Sequence, residues 1–264
     1  MHLLGRKLPS ILSAGAVAAL FTASGVVNAA AAFPDTTCAS GTVAAGTYHS
    51  LTITGFCKVD GGNVMVQRNV TIAPGGALLA AFSGSDLTIG RDMLIQTGGK
   101  LGLGCEPVEF PCFNNSAGHT NHSIGRNLVA ENATLVVVHR SHIVGEVAET
   151  GGGGGLTCAP LFTNGPPPFT DYTDNMIGGD VTVARLHTCW DGFLRNKVGG
   201  TVNWNDNHTV MADGNLMSTN TIHHNLNCFE NSPKPHLSDF TPVKNTVFGT
   251  ARGQCTALSV PPAL

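Results

Sequence analysis

Charge is scarce in this chain. Asp, Glu, Lys and Arg make up 12% of the 264 residues, about half the usual share of a soluble domain. That shortage argues against a helical bundle, whose faces need Lys, Glu and Leu. No window shows a capped helical period. After residue 27 no segment is long and apolar enough to span a bilayer. Cys-x-x-Cys pairs are absent, which removes zinc–cysteine chemistry. Gly-x-Ser-x-Gly and the phosphate-binding Gly-Lys-Ser/Thr are also missing, which removes the serine-hydrolase elbow and the P-loop. The glycine-rich runs have no strand–helix context, so they are not dinucleotide fingerprints. Only two Trp and two Tyr occur.

What is present is glycine, 33 residues, with 14 prolines and 42% hydrophobic residues. Glycine has no three-residue period, which excludes collagen. The composition suits turns and short strands.

Residues 1–29 read as a secretory signal peptide. Arg6 and Lys7 give a positive start, Leu8 to Val27 is mostly apolar, and Val27-Asn28-Ala29 fits a small-x-small cleavage site. Residues 30–264 are then one exported domain with 12 basic and 17 acidic residues, a formal charge near −5. That balance leaves no basic footprint for nucleic acid. All eight cysteines lie in this part: Cys38, Cys57, Cys105, Cys112, Cys158, Cys189, Cys228 and Cys255. An even count behind a signal peptide implies disulfides. Many connectivities are open. Nearest-neighbour pairing is the expectation: 38–57, 105–112, 158–189 and 228–255.

An internal repeat organises the rest. Arg68-Asn69-Val70-Thr71-Ile72, Arg91-Asp92-Met93-Leu94-Ile95 and Arg126-Asn127-Leu128-Val129-Ala130 share one pattern. A glycine entry recurs at Ile89-Gly90, Ile124-Gly125, Val144-Gly145, Ile177-Gly178 and Val198-Gly199. Turns such as Ala73-Pro74-Gly75-Gly76 and Thr97-Gly98-Gly99 separate short alternating strands. The first two arginines are 23 residues apart and the next interval is 35, an insertion of 12 that falls where Cys105 and Cys112 bracket a loop. Units of about 20 to 23 residues, each with two or three short strands, predict an all-β right-handed parallel β-helix, a β-solenoid, of about eight coils. An antiparallel sandwich is the rival architecture. Asn69, Asp92 and Asn127 are expected to stack in one turn, with Arg68, Arg91 and Arg126 as an outward ladder beside them. Three stretches interrupt the repeat: 105–121, 150–175 and 229–244. Such inserts in solenoids often carry function.

Cys38-x-Ser-Gly-Thr-Val through Tyr48, Leu51-Thr52-Ile53-Thr54-Gly55-x-Cys57, Asn69 through Gly76, Leu101-Gly102-Leu103-Gly104-Cys105, and Leu226 through Pro233 with Gly253-Gln254-Cys255 carry a resemblance. Together they resemble a group of uncharacterised secreted bacterial proteins expected to be right-handed parallel β-helices. The resemblance implies fold and export to the bacterial cell surface, and no activity. More distantly the coil style is similar to pectate lyases and other polysaccharide-active β-helices. Their acidic calcium cluster and downstream catalytic arginine have no counterpart here, so no metal or cofactor is implied.

Two clusters are candidate chemistry. His139-Arg140-Ser141-His142 places two imidazoles three apart, on opposite faces of a strand. His119 and His122 repeat the spacing in a loop. The second cluster is His187, Cys189, Trp190, Asp191 and Arg195, followed by Trp204, Asp206 and His208. A Trp beside Asp and His suits a sugar ring, which has an apolar face and a hydroxyl rim. Trp190, Trp204, His187, His208 and Arg195 are therefore the candidate binding residues. Asp180, Asp191 and Asp206, with Asp213, are weak candidates for the carboxylate pair of a glycoside hydrolase. The expected function is a non-catalytic solenoid of the cell surface or matrix, structural or glycan-binding, with polysaccharide or further copies of itself as partner. A polysaccharide lyase or glycoside hydrolase on the same scaffold is the alternative. An ice-binding face would need regular Thr rows. Thr52, Thr71, Thr88, Thr182 and Thr201 recur, but Met93 and Asn203 interrupt them.

Overall fold

A computed structural model describes residues 33–107, 110–163, 165–238 and 242–263. The signal peptide expected at 1–29 lies outside the described residues. Within Phe33–Leu264, one compact unit, the chain is all-β, and every pairing between its named strands is parallel, in sheets of sixteen, ten and two strands. The antiparallel sandwich is thereby excluded. The only helical turn among the described residues is the 3-10 turn Thr256–Leu258. None of these residues forms a helix long and apolar enough to cross a membrane.

The large sheet is two rows of strands joined by one bent strand. Ser50–Lys58 pairs through Leu51–Ile53 with Val70–Ile72. It pairs through Phe56–Lys58 with Ala77–Leu79 of the next strand. The bend lies at Gly55, where a Cβ would strike the carbonyl of Ala39. The ten-stranded sheet supplies a third row. The chain visits the three rows in turn, then repeats. Val64–Val66, Val70–Ile72 and Ala77–Ala80 are followed by Leu87–Ile89, Met93–Ile95 and Lys100–Leu103, each parallel to its predecessor. A first edge strand not expected from the sequence, Asp35–Thr42, pairs with Ser50–Lys58.

Alternation within these strands builds the core. In Val70–Ile72 the outer residues are fully buried and Thr71 between them is half-exposed. Leu87–Ile89 and Met93–Ile95 repeat this. Inward residues of successive windings stack about 4.8 Å apart. Burying each Val, Leu or Ile contributes about 1.5–3 kcal/mol. The early part of the column is aliphatic. Later the core takes Tyr172, Phe193 and Trp204, all fully buried. The recurrent glycine is required where windings pass closely. At Gly90 a Cβ would meet the carbonyl of Gln67 at 2.3 Å.

The Asn-and-Asp stack forms as the repeat implied. Asn69 Oδ1 accepts from the Asp92 amide at 3.2 Å. Asp92 Oδ1 accepts from the Asn127 amide at 3.2 Å, and Asn127 Oδ1 from the Glu146 amide at 3.0 Å. The arginines lie one above another beside it, the Arg91 amide bonding the Arg68 carbonyl and the Arg126 amide the Arg91 carbonyl. All four disulfides follow the expected pairing. No threonine row forms, because Thr71 sits beside Leu94 and Thr88 belongs to another sheet.

Candidate functional site

A cleft of about 500 Å³ opens where the large-sheet row that holds Leu135–His139 turns into the ten-stranded sheet. Its backbone geometry explains its side chains. At this corner each winding carries one residue in the left-handed region: Arg140 (φ 46°), Asp174 (φ 57°), Arg195 (φ 53°) and Thr219 (φ 62°). Non-glycine residues there are uncommon and costly, by about 1–2 kcal/mol each. After Asp174, Arg195 and Thr219 the next residue is an Asn that turns inward and offsets that cost with hydrogen bonds; Ser141 takes this place after Arg140, and Asn245, after Lys244, continues the row. Asn175, Asn196, Asn220 and Asn245 form a buried ladder, each amide of one winding bonded to the Oδ1 of the next at 2.8–3.1 Å. Their Nδ2 atoms donate to the carbonyls of Val138, Tyr172, Phe193 and Met217. The left-handed side chains consequently project outward as a stack of alternating charge.

The insert 105–121 turns that corner into a cleft. It leaves the column after Lys100–Leu103 and returns at His122–Ile124. Cys105–Cys112 pins it. It lays Phe110 on the His139 ring, centroids 4.9 Å apart, and brings Glu106 alongside. His139 ends the strand Leu135–His139 and points away from the column, yet only 2% of its side chain is accessible. Its Nδ1 donates to Glu106 Oε1 at 3.1 Å and its Nε2 to Asp171 Oδ2 at 2.9 Å. Burial opposes the charged ring, but the Asp171 and Glu106 carboxylates outweigh it and push its pKa up to about 9. Burial holds the Glu106 carboxyl above its ordinary value, with the neighbouring Asp174 adding to that and His139 opposing it. Asp174 is gripped by Arg195, whose Nη2 lies 2.7 Å from Oδ2 and whose Nε donates at 3.0–3.1 Å.

Arg140, His142 and Lys197 stand exposed on the walls, with Met176 and Asn121. The floor includes His122. It accepts from the Leu87 amide, donates to the Ala80 carbonyl, and is held neutral by burial, its pKa lowered to about 4. The cleft thus offers cations, carboxyls and amides on a rigid frame, with a protonated histidine under its carboxyls. His139 and His142 do not alternate along one strand: they end and begin different strands across the left-handed Arg140, and both point away from the core. No group of three or more metal-ligating side chains occurs among the described residues.

The residues expected from the sequence as one site are not one site. Trp204 is fully buried in the core, its Nε1 donating to Asn215 Oδ1, and cannot stack on a sugar. It pairs in register with Val183, an inward position. Asp191 is also fully buried and faces the column interior, so it cannot reach a polymer substrate. Burial pushes its carboxyl up to about 8. Nearby Glu149, which accepts from Thr170 and Tyr172 at 2.8 Å, is pushed up to about 7 by the same cause. Asp180 continues the outer Asn-and-Asp stack by accepting from the Thr201 amide. Asp206 lies at another corner, bonded to His208 at 3.0 Å. The three aspartates therefore do not converge as a carboxylate pair. Trp190 is half-buried, donating to the Asp213 carbonyl and edge-on to Phe169. His187 and His208 stack in register with centroids 5.3 Å apart. Arg195 alone of the five expected binding residues lines the cleft.

No family model, curated protein or solved structure matches the chain.

Proposed function

We propose that this protein is an exported right-handed parallel β-helix of about eight coils that binds saccharide in the cleft roofed by residues 105–121, without catalysis. The parallel strand order supports the helix. Connections between parallel strands of one sheet are overwhelmingly right-handed, which supports the hand. Four disulfides in the described residues support an oxidising, extracellular setting. The resemblance to uncharacterised secreted bacterial β-helix proteins is part of the same reading.

The observation that carries it is the cleft itself. Its exposed lining is polar and charged, set on backbone fixed by buried ladders, with Met176 as an apolar surface beside Arg140 and Lys197. Hydroxyl-rich ligands need such mixed donors and acceptors at fixed positions. Hydrolysis is less well supported. Glycosidases separate their carboxyls by about 5–9.5 Å to admit water or the sugar carbon, whereas Glu106 and Asp174 crowd the same Arg195 Nη2, at 3.8 and 2.7 Å. Asp174 is also neutralised by Arg195.

The test uses oxidised protein spanning 30–264 and a panel of pectins, glucans, chitin and wall polymers. Retention on polymer is scored together with the release of reducing ends and unsaturated products. The reading expects retention without release, weakened by Arg140→Ala with Lys197→Ala. Release would replace it with the lyase or hydrolase reading. No retention on any polymer would overturn saccharide binding.

A further inference from the structure

The cleft lies along one border of the ten-stranded sheet, and the opposite border carries an arginine ladder that no ion pair among the described residues explains. Arg68, Arg91 and Arg126 occupy equivalent places in successive windings, linked amide to carbonyl. All three are exposed. Among the described residues none has a carboxylate within ion-pair distance. The neighbouring Asn69, Asp92 and Asn127 spend a side-chain oxygen on backbone amides of the next winding. Gly90 and Gly125 precede two of the arginines and leave the corner bare. Successive windings are about 4.8 Å apart, so like charges are stacked at close range on a chain whose net charge is negative. Beyond Arg126 the row continues as Gly145, Gly179 and Gly200, so the ladder is confined to one stretch of the column.

The ladder and the cleft meet at one winding. Asn121 and His122 line the cleft, and His122–Ile124 is the short strand that leads to Arg126. At about 3.3 Å per residue, the two borders are on the order of 15 Å apart there. Between them the sheet presents Ser123 and the exposed His142, with Lys197 two windings beyond His142.

We propose that the ligand is a linear polyanionic polysaccharide, carboxylated or sulfated, lying across this face from the cleft to the Arg68–Arg91–Arg126 ladder. The inference rests on the saccharide reading of the cleft and narrows its ligand class. Evenly spaced cations match a polymer with a charge on each repeating unit, and multiple weak contacts add along one chain. Such binding weakens steeply with salt, because it releases the polymer's condensed counterions and that release is less favourable at high salt.

The experiment measures affinity for polygalacturonate, dextran sulfate and neutral dextran from about 50 to 300 mM NaCl. Wild type is compared with Arg68→Gln/Arg91→Gln/Arg126→Gln, with Arg140→Gln/Lys197→Gln, and with Arg185→Gln as a distant control. Thermal unfolding checks that each variant is folded. The proposal expects polyanion binding, with affinity falling at least about tenfold in the ladder variant and a shallower dependence on log salt. The control should match wild type. Neutral dextran bound as well as the polyanions would overturn the proposal and leave the cleft reading standing. Polyanion binding lost only in the cleft variant would do the same. Polyanion binding untouched by either variant, or retention of no saccharide at all, would overturn both.

Discussion

The column has two corners built the same way, and they differ in what covers them. At the roofed corner Arg140, Asp174, Arg195 and Thr219 adopt left-handed backbone and Asn175, Asn196, Asn220 and Asn245 turn inward. At the other corner Arg185, Asp206 and Glu230 adopt it, and Asn207, Asn231 and Gln254 form the inner ladder. Both corners therefore display outward charges in register. At the second, Arg185 and Glu230 stay exposed, and Glu230 lines a separate cleft of about 810 Å³ with Lys234 and Gln254. The first is covered by the 105–121 insert, which adds Glu106 and Phe110 and buries His139. The fold accounts for the ladders; the insert accounts for the chemistry.

Equal ladders should cost equally to break. Asn220→Ala removes the acceptor for the Asn196 amide and the donor to the Phe193 carbonyl. Asn231→Ala does the same to the Asn207 amide and the Trp204 carbonyl. Two buried groups are orphaned in each case, so each variant should lose about 3 kcal/mol in denaturant unfolding. A large loss at one corner alone would break the comparison.

The roofed corner alone should carry a steep pH dependence. His139 has a folded pKa near 9, above its ordinary 6.5. A histidine raised on folding stabilises fully below pH 6.5, and that contribution is lost as pH rises through about 9. The loss amounts to about 3 kcal/mol. Glu149 and Asp191, also raised, weaken the fold in the same direction as pH rises. The contribution of His139 is therefore read as wild type minus His139→Gln, measured by urea unfolding from pH 6 to 9. A difference that does not change with pH would remove the charged histidine from the account.

Opening the roof should cost both stability and binding. Cys105→Ala/Cys112→Ala releases a short loop, worth about 2.5 kcal/mol by chain entropy. Saccharide retention should fall at least tenfold, while spectroscopic signals from the Trp190 and Trp204 side of the column stay unchanged. Retained binding would mean that the roof is decoration.

The smallest effect concerns the backbone device itself. Thr219 is β-branched at φ 62°, where its Cβ is crowded. Thr219→Gly should raise stability by about 0.5 kcal/mol, the relief of strain exceeding the entropy that glycine adds to the unfolded chain. A loss above 1 kcal/mol would show that the threonine side chain holds the turn.

Much of the column was legible because repeats place like residues in register. The Arg-Asn/Asp motif gave the outer stack and the arginine ladder, and the break in its spacing located the insert. The buried ladder was overlooked, although a signal existed. Asn175-Met176-Ile177, Asn196-Lys197-Val198, Asn220-Thr221-Ile222 and Asn245-Thr246-Val247 share Asn-x-(Ile/Val), at intervals of 21, 24 and 25 residues. The first three each follow the residue that takes the left-handed turn. The tryptophans misled because Trp suits both a core and a sugar platform. Trp204 alternates with Val202, as Val183 does with Val181 one winding earlier, and that parity places it inside. Glu106 had no local signal. Its partner, His139, is 33 residues away, and only the path of the insert unites them.

The most direct measurement is hydrogen exchange with and without a retained polysaccharide. The account predicts slowed exchange at 104–107, 139–142, 174–176 and 195–197, and none at 185–188 or 206–209. Protection at the second corner instead, or at both corners alike, would contradict the assignment of the roofed cleft as the ligand site.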